Sequence, residues 1–277
     1  MTRLLITARK RPEVDLEQII GEYEFSVVPR SMFNNDGSFL IETSKSVIMH
    51  QIEIMIDDDQ DESMENEEDT IDQRVIIFDG MAVLDKIKIG TGIQNCCQLA
   101  ERFLSILMSK PSDEVRVVFD RYIEDSLKKT TRRKRQGKAE TATQYEIKDD
   151  TNLVKTSMKK LLSHNKTKQQ LTSCLGRYIA KKMEEINKQF AVSFGRCTIT
   201  NIEALNSEKL NGHDHEEADT LMILHAIDVA ACNPFRRLIV SSPDTDVLLL
   251  LIHYYASIPS DTQFLTGSGD KTRLISI

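Results

Sequence analysis

Three aspartates of this chain each stand just after a strongly apolar stretch, and this recurring pattern constrains the fold more than any other sequence feature. Asp79 directly follows the apolar residues 75–78, and Asp120 directly follows the β-branched run at residues 115–119. Asp244 comes shortly after a third run of the same kind. Apolar runs without polar alternation are typical of strands that are buried on both faces. The pattern therefore predicts a parallel sheet covered by helices.

Stretches of helical character separate these runs. Residues 93–108 have a helical pattern between the first two strands, which makes a strand, helix, strand unit. Further along the chain we expect strands at residues 191–200, 237–242 and 262–267, a helix at residues 215–230 and a buried helix at residues 247–256. The sequence therefore predicts an α/β protein, with a twisted parallel sheet flanked by helices in a three-layer, Rossmann-like arrangement.

We expect three regions along the chain. Residues 57–72 form an acidic, disordered linker, because a block of like charges repels itself and has little to bury. Residues 73–277 form the core, in which residues 124–190 are a helical, basic insertion. Residues 1–56 form a β-rich appendage around the turn signal at residues 34–37. Its strand-like stretches lie at residues 23–28, 39–43 and 46–55.

Charge and cysteine usage limit the class of protein. Residues 57–69 hold nine acidic residues and no basic one, so setting them aside changes the formal net charge from −7 to +2. Five cysteines without a Cys-x-x-Cys pair indicate reduced thiols in an intracellular protein, nuclear or cytoplasmic. The N-terminal residues do not read as a secretory signal, and the apolar runs are too short to cross a bilayer, so we expect no membrane partner.

The acids after the strands predict a metal site. In open parallel sheets, side chains just beyond the carboxyl ends of the strands converge in one crevice, which would gather Asp79, Asp120, Asp244 and Asp246. Clustered carboxylates repel one another unless a cation neutralises them. Carboxylate oxygens suit Mg²⁺ or Mn²⁺, and two such ions about 3.5–4 Å apart can clamp the reacting oxygens of a phosphodiester.

The start of the helix at residues 215–230 offers further acids, Glu217 and Asp219, although a regular helix would not place them on one face. Other interpretations remain open here. Aspartate after a strand is also a common turn or cap residue. Asp214 followed by Glu217 resembles a capping box. The nearby His213 and His215 allow zinc as an alternative, although structural zinc sites favour Cys and His at tetrahedral spacing.

A basic segment follows Asp120 at once. Residues 128–138 contain seven Lys or Arg residues and no acid, and a helix there would place Lys128, Arg132 and Arg135 on one face. Cations of this kind hold a phosphate backbone, and we expect Lys128, Lys129, Arg132, Arg133 and Arg135 to bind nucleic acid. A solvated helix face and a nuclear localisation signal are the alternatives.

These blocks resemble the flap-endonuclease and XPG-like branch of the PIN-domain nucleases, and they are similar to metazoan PIN-like proteins that carry the same blocks. The resemblance covers roughly residues 74–270 as a set of motifs. VIIFDGMAVL is similar to the family's first strand, VRVVFDRYIEDSLKKTTRRKRQ to its second acidic strand end and basic helix, EEADTLMILHA to its Glu-x-Glu helix start, and SSPDTDVLLL to its Asp-x-Asp strand end. The resemblance implies metal roles for Asp79, Asp120, Glu217, Asp219, Asp244 and Asp246, and phosphate guidance by Lys128, Arg132 and Arg133.

The chain departs from this family at three points. Arg121 stands where the family usually has Gly, and Asp219 is shorter than the usual Glu. The family continues into a helix, turn, helix element that holds duplex and carries one further Asp, for which we find no candidate. The sequence thus indicates a core that is truncated at its C-terminus.

The leading hypothesis is a metal-dependent nuclease core that hydrolyses phosphodiesters of DNA or RNA with two Mg²⁺ or Mn²⁺ ions. In this hypothesis Lys128 and Arg132 neutralise the charge that develops during the reaction. A binding module that kept the fold and lost the chemistry is the first alternative. A metal-dependent phosphatase that acts on small substrates is the second.

Overall fold

The computed structural model describes residues 45–57, 74–90, 92–121, 143–212 and 215–277. The chain divides into two units, Met1–Ile52 and Glu53–Ile277. The predicted strands at residues 23–28 and 39–43, most of the acidic linker and the basic segment at residues 128–138 lie outside the described residues.

Residues 46–55, which we expected to be strand-like, form a helix instead. Helix α1 spans Lys45–Asp57. The less exposed side chains Met49 and Ile52 lie three residues apart, which is helical periodicity rather than the alternation of a strand. The high content of Val and Ile favoured the strand prediction, and the spacing of the buried positions overrides it.

One mixed sheet of seven strands forms the centre of the second unit. The strands are β1 (Arg74–Asp79), β2 (Glu114–Val118), β3 (Gln189–Phe194), β4 (Cys197–Thr200), β5 (Arg237–Ser241), β6 (Thr262–Thr266) and β7 (Arg273–Ser276). Their order across the sheet is β4-β3-β2-β1-β5-β6-β7. The five inner strands are parallel, and the edge strands β4 and β7 pair antiparallel with their neighbours.

Helices cover both faces of this sheet. They are α2 (Gly80–Asp85), α3 (Cys96–Met108), α4 (Met158–Leu161), α5 (Asn165–Lys182), α6 (Ser207–Asn211), α7 (Ala218–Cys232) and α8 (Thr245–His253), with 3-10 turns at Met183–Glu185, Tyr255–Ser257 and Gly269–Lys271. The largest hydrophobic cluster packs α3 and α5 against side chains of β1 to β3. Helix α7 contacts β1 and β2 as well as α8. The predicted three-layer α/β fold is confirmed.

The strand order reverses between β1 and β5. From β1 the chain proceeds outward through β2 and β3 on one side, and it then returns to build β5 and β6 on the other side. In open α/β sheets the crevice at such a reversal, at the carboxyl ends of the strands, is the usual place for a ligand. Asp79 ends β1 and Asp244 follows β5, so two of the predicted metal residues flank this crevice.

Two predicted elements differ in detail. Residues 191–200, expected to be one strand, form a hairpin of β3 and β4 in which Phe194 pairs with Cys197. Gly195 adopts φ +55° in the two-residue turn, a conformation that favours glycine. Helix α8, expected to be buried, is buried only on one side, since Leu249 and Ile252 are exposed.

Part of the expected insertion belongs to the core. Leu171, Leu175 and Ile179 of α5 recur every four residues and are fully buried in the main cluster. Residues 165–182 therefore belong to the packed core and not to the insertion that we expect at residues 124–190. The four lysines of α5 make this segment appear too polar for the core when only its composition is considered.

Among the described residues, none of the helices is long and apolar enough to span a membrane.

Candidate metal centre

Asp79 is held at the junction of β1 and α2. It is the N-cap of α2, and its Oδ1 accepts hydrogen bonds from the backbone N–H groups of Met81 at 2.9 Å and Ala82 at 3.1 Å. Burial raises the pKa of Asp79 to about 6, backbone hydrogen bonds oppose this shift, and the charges of Asp120 and Asp244 add to it. This carboxylate is thus fixed in direction and lies within the electrostatic reach of two others.

The residue after Asp79 brings two strand ends close together. A Cβ atom on Gly80 would lie 2.4 Å from Cε1 of Phe119, the residue that precedes Asp120. No side chain fits at that distance, so glycine is required here for the ends of β1 and β2 to approach each other. Sequence reasoning used Gly80 only as part of a motif, and its packing role explains why that motif needs it.

Asp120 connects the end of β2 to the start of α7. Its Oδ1 accepts a hydrogen bond from the backbone N–H of Ala218 at 2.9 Å, although 98 residues separate the two positions. Because Ala218 is the first residue of α7, this bond places the start of that helix beside the carboxylate of Asp120. The predicted convergence of Asp120 with Glu217 and Asp219 follows from this contact.

Arg121, where the family resemblance leads one to expect glycine, reinforces the same junction. Its backbone N–H donates to the carbonyl of Glu216 at 2.7 Å, and its Nη2 donates to the carbonyl of Leu210 at 3.0 Å. The side chain is buried, which together with nearby Arg196 lowers its pKa. Arg121 thus holds the segment that leads into α7. The sequence-based account missed this role, since an arginine beside a basic segment reads as one more surface cation.

Asp244 and Asp246 open helix α8. Asp244 is its N-cap, and Oδ1 of Asp244 accepts from the backbone N–H of Asp246 at 3.0 Å. The backbone N–H of Asp244 itself donates to Oγ of Ser242 at 3.2 Å. These local bonds orient the turn, so both carboxylates leave the chain beside the carboxyl end of β5.

The start of α7 is not the capping box that was the alternative interpretation of Asp214 and Glu217. The helix begins at Ala218, and Glu217 is its N-cap in extended conformation, so Asp214 is not the cap of this helix. Glu217 makes no side-chain cap hydrogen bond. Since Glu217 precedes the helix, the objection that residues two apart cannot share a helix face does not apply. Its charge contributes to the raised pKa of Asp219, so both side chains lie near one another.

The structure brings the six predicted acids to one place. Ligand atoms of Asp219, Asp244 and Asp246 all lie within 4.8 Å of one another. The pKa of Asp219 is raised to about 7, most of all by burial and then by the charges of Asp244, Asp79, Asp120 and Glu217, in that order. Acids from four separate parts of the sequence therefore lie near Asp219, and the cluster of three aspartates among them could hold a metal ion.

The donor set fits a hard divalent cation. The three clustered residues supply only carboxylate oxygens, which suit Mg²⁺, Mn²⁺ or Ca²⁺ better than Zn²⁺. In Asp79, Asp120 and Asp244 a backbone N–H group orients Oδ1, and Oδ2 has no hydrogen bond within the part of the chain that the structure describes. His215 is not in this cluster, and His213 lies outside the described residues, so the zinc interpretation gains no support.

The predicted phosphate-binding cations cannot be placed. Lys128, Lys129, Arg132, Arg133 and Arg135 all lie outside the described residues, and their role stays a prediction. Two other lysines, Lys86 and Lys110, do lie near the site, and sequence reasoning missed both of them. Each is an isolated lysine without a charge pattern around it, so only the fold reveals their position.

Comparison with models of known protein families, with curated proteins and with solved structures finds no match to this chain.

Proposed function

We propose that this protein is a divalent-metal-dependent nuclease that hydrolyses phosphodiester bonds of nucleic acid. The observation that carries the proposal is the clustering of Asp219, Asp244 and Asp246 with Asp79 and Asp120 where the strand order reverses. The resemblance of the four sequence blocks to PIN-domain nucleases supports the same function. Mg²⁺ or Mn²⁺, with two ions per site, is the cofactor that we propose.

The six acids of the site would have two different roles. Asp219, Asp244 and Asp246 would hold one cation directly, with Asp79, Asp120 and Glu217 as ligands of a second cation or of its water molecules. Bound divalent ions of this kind supply a water molecule of lowered pKa and neutralise charge on a phosphate. The backbone bonds to Asp79, Asp120 and Asp244 fix these carboxylates before any ligand arrives, which reduces the reorganisation that binding requires.

Cleavage assays with Asp244→Asn test this function. Asparagine can still accept the N-cap hydrogen bond from Asp246, so the fold is retained while a charged ligand is lost. We expect the full chain to cleave single-stranded, flapped or duplex DNA or RNA with Mn²⁺ or Mg²⁺, to lose activity in EDTA, and to lose at least about 100-fold in rate in the variant. This magnitude follows because residues that only support metal ligands are worth about 10–100-fold.

The control is Asp150→Asn, which removes the same charge from an exposed turn and should leave the rate unchanged. Hydrolysis of p-nitrophenyl phosphate in preference to the bis(p-nitrophenyl) diester would contradict the proposal and favour a phosphatase. Binding of nucleic acid without metal-dependent cleavage of any of these substrates would equally contradict it.

A further inference from the structure

A cavity adjoins the metal centre on the side of Asp79. It has a volume of about 190 Å³ and is lined by α2 and the end of α3 on one side, and by the ends of β5 and β6 on the other. Asp79 lines this cavity and also raises the pKa of Asp219 in the aspartate cluster, so the two sites share a carboxylate. A ligand in the cavity that contacts Asp79 would therefore lie next to the aspartate cluster.

The walls of the cavity are apolar. Phe78, Val83, Ile106 and Leu265 line it, and Phe78 and Val83 are otherwise buried in the main cluster. The volume is below the roughly 300–1,000 Å³ of pockets for drug-sized ligands, so the space suits a small planar group rather than a whole extended molecule. The faces of a nucleobase are apolar and planar, and they match walls of this kind.

The rim of the cavity carries positive charge. Lys86 and Lys110 line it, both are exposed, and neither forms an ion pair with any residue that the structure describes. Among the described residues that line the cavity, Asp79 is the only acid. Lysines that pair with no acid among the described residues are available to a phosphate, as strand-binding grooves require.

Hydroxyl groups and a constrained loop complete the rim. Ser242 lines the cavity and also accepts the backbone hydrogen bond of Asp244, which connects the rim to the metal centre. Gly267 adopts φ +86°, and a Cβ atom there would lie 2.0 Å from the carbonyl oxygen of Lys271. The loop is therefore closed tightly, and Thr272 is held at the rim by a 2.8 Å hydrogen bond from its Oγ1 to the carbonyl of Gly269.

We infer that this cavity receives one nucleotide of a single strand whose neighbouring phosphate lies at the metal centre. The base enters between Phe78, Val83 and Leu265, and the backbone phosphates contact Lys86 and Lys110. This inference rests on the proposed nuclease function and adds a substrate class to it, since an unpaired base must be available.

Binding to a single strand tests the inference directly. The probe is fluorescein-labelled oligodeoxythymidylate, followed by fluorescence anisotropy in the Asp244→Asn background, in which the strand stays intact. We expect Lys86→Glu with Lys110→Glu to weaken binding about tenfold or more. The slope of log K against log salt concentration should become shallower by about 1.4, because each contact of a cation with a single strand contributes about 0.7.

Matched controls separate this effect from net charge. Lys159→Glu with Lys166→Glu makes the same charge change at exposed positions on α4 and α5 that do not line the cavity, and should leave both the affinity and the slope unchanged. An abasic strand tests the apolar walls, and it should bind at least about fivefold more weakly, since stacking and burial of one base are worth about 1–3 kcal/mol.

Three results would overturn the inference. The first is equal affinity of the strand for the Lys86→Glu, Lys110→Glu variant and its parent. The second is equal affinity of the parent protein for the abasic strand and for the intact strand. The third is competition by thymidine monophosphate that is as strong as competition by the unlabelled strand, which would assign the cavity to a free nucleotide.

If wild-type protein cleaves nucleic acid while Lys86→Glu with Lys110→Glu leaves KM unchanged, the cavity assignment fails and the nuclease function stands. If the parent binds the strand through these lysines but wild-type protein never cleaves it, the nuclease function fails instead.

Discussion

Replacing Asp219 by asparagine is expected to raise the Tm of the metal-free protein and, at the same time, to weaken Mn²⁺ binding more than about 100-fold. The pKa of Asp219 is raised to about 7 by burial and by neighbouring acids, against 3.8 in an unstructured chain. Between these two pH values the unfolded chain has already lost its proton while the folded chain retains it, so stability falls as the pH rises. Above pH 7 the loss of stability caused by this carboxylate no longer increases.

Asparagine removes this cost because it carries no charge. The gain in Tm should be near zero at pH 4, increase up to pH 7 and then level off, and scanning calorimetry in EDTA measures it. For domains of roughly this size, each kcal/mol of unfolding free energy corresponds to a change of about 2–4 °C in Tm. With saturating Mn²⁺ the order should reverse, since only the wild-type protein gains stability from tight binding.

The matched control for this prediction is again Asp150→Asn, an exposed position, and this variant should have the same Tm as the wild-type protein at each pH, with and without Mn²⁺. A variant Asp219→Asn that is less stable than wild type in EDTA at pH 8 would show that this carboxylate stabilises the fold. In that case the electrostatic description of the site is wrong.

Replacing Arg116 by methionine is expected to lower the free energy of unfolding by about 3–5 kcal/mol, which is the usual cost of breaking a buried ion pair from one side. Arg116 on β2 is almost fully buried, with Nε 2.5 Å from Glu114 and Nη1 2.7 Å from Asp228 on α7. Nη1 also donates to the backbone carbonyl of His225 at 3.1 Å. Without the arginine, the half-buried Asp228 loses its cation.

Urea denaturation of both proteins measures this loss. The control is Lys181→Met, which breaks an exposed ion pair with Asp149 and should cost less than about 1 kcal/mol. Arg116 also helps to hold the metal centre in place, because it joins β2 to α7, and these two elements position Asp120 and Asp219. A loss below 1 kcal/mol for Arg116→Met would mean that Arg236, which pairs with Glu114, compensates for the missing charge.

The strands that position the site could be predicted from the sequence. The apolar runs before Asp79 and Asp120 are buried on both faces, so no solvent-facing position interrupts the signal. Once these strands are parallel, the rule for carboxyl ends predicts that the acids meet. The approach of Glu217 and Asp219 could not be derived from helix spacing, because it depends on the long-range bond from Ala218 to Asp120.

Other features depend on tertiary contacts that leave little trace in the sequence. The apolar stripe of α5 is hidden among lysines, and the burial of Arg121 depends on a carbonyl 89 residues away. The cavity beside Asp79 is assembled from five elements, β1, α2, α3, β5 and β6, and the sequence gives no sign that these elements enclose a space together. In contrast, Gly195 does indicate the turn of the β3–β4 hairpin in the sequence, so residues 191–200 could have been predicted as two strands on either side of it.

Calorimetric titration of Mn²⁺ into the metal-free chain is the most direct test of the central claim that distant acids form one cation site. We expect saturable binding in the wild-type protein. We also expect Asp79→Asn, Asp120→Asn and Asp244→Asn each to weaken that same binding, although the three residues lie in different parts of the sequence. Mn²⁺ binding that is absent from the wild-type protein, or that is unchanged in all three variants, would contradict it.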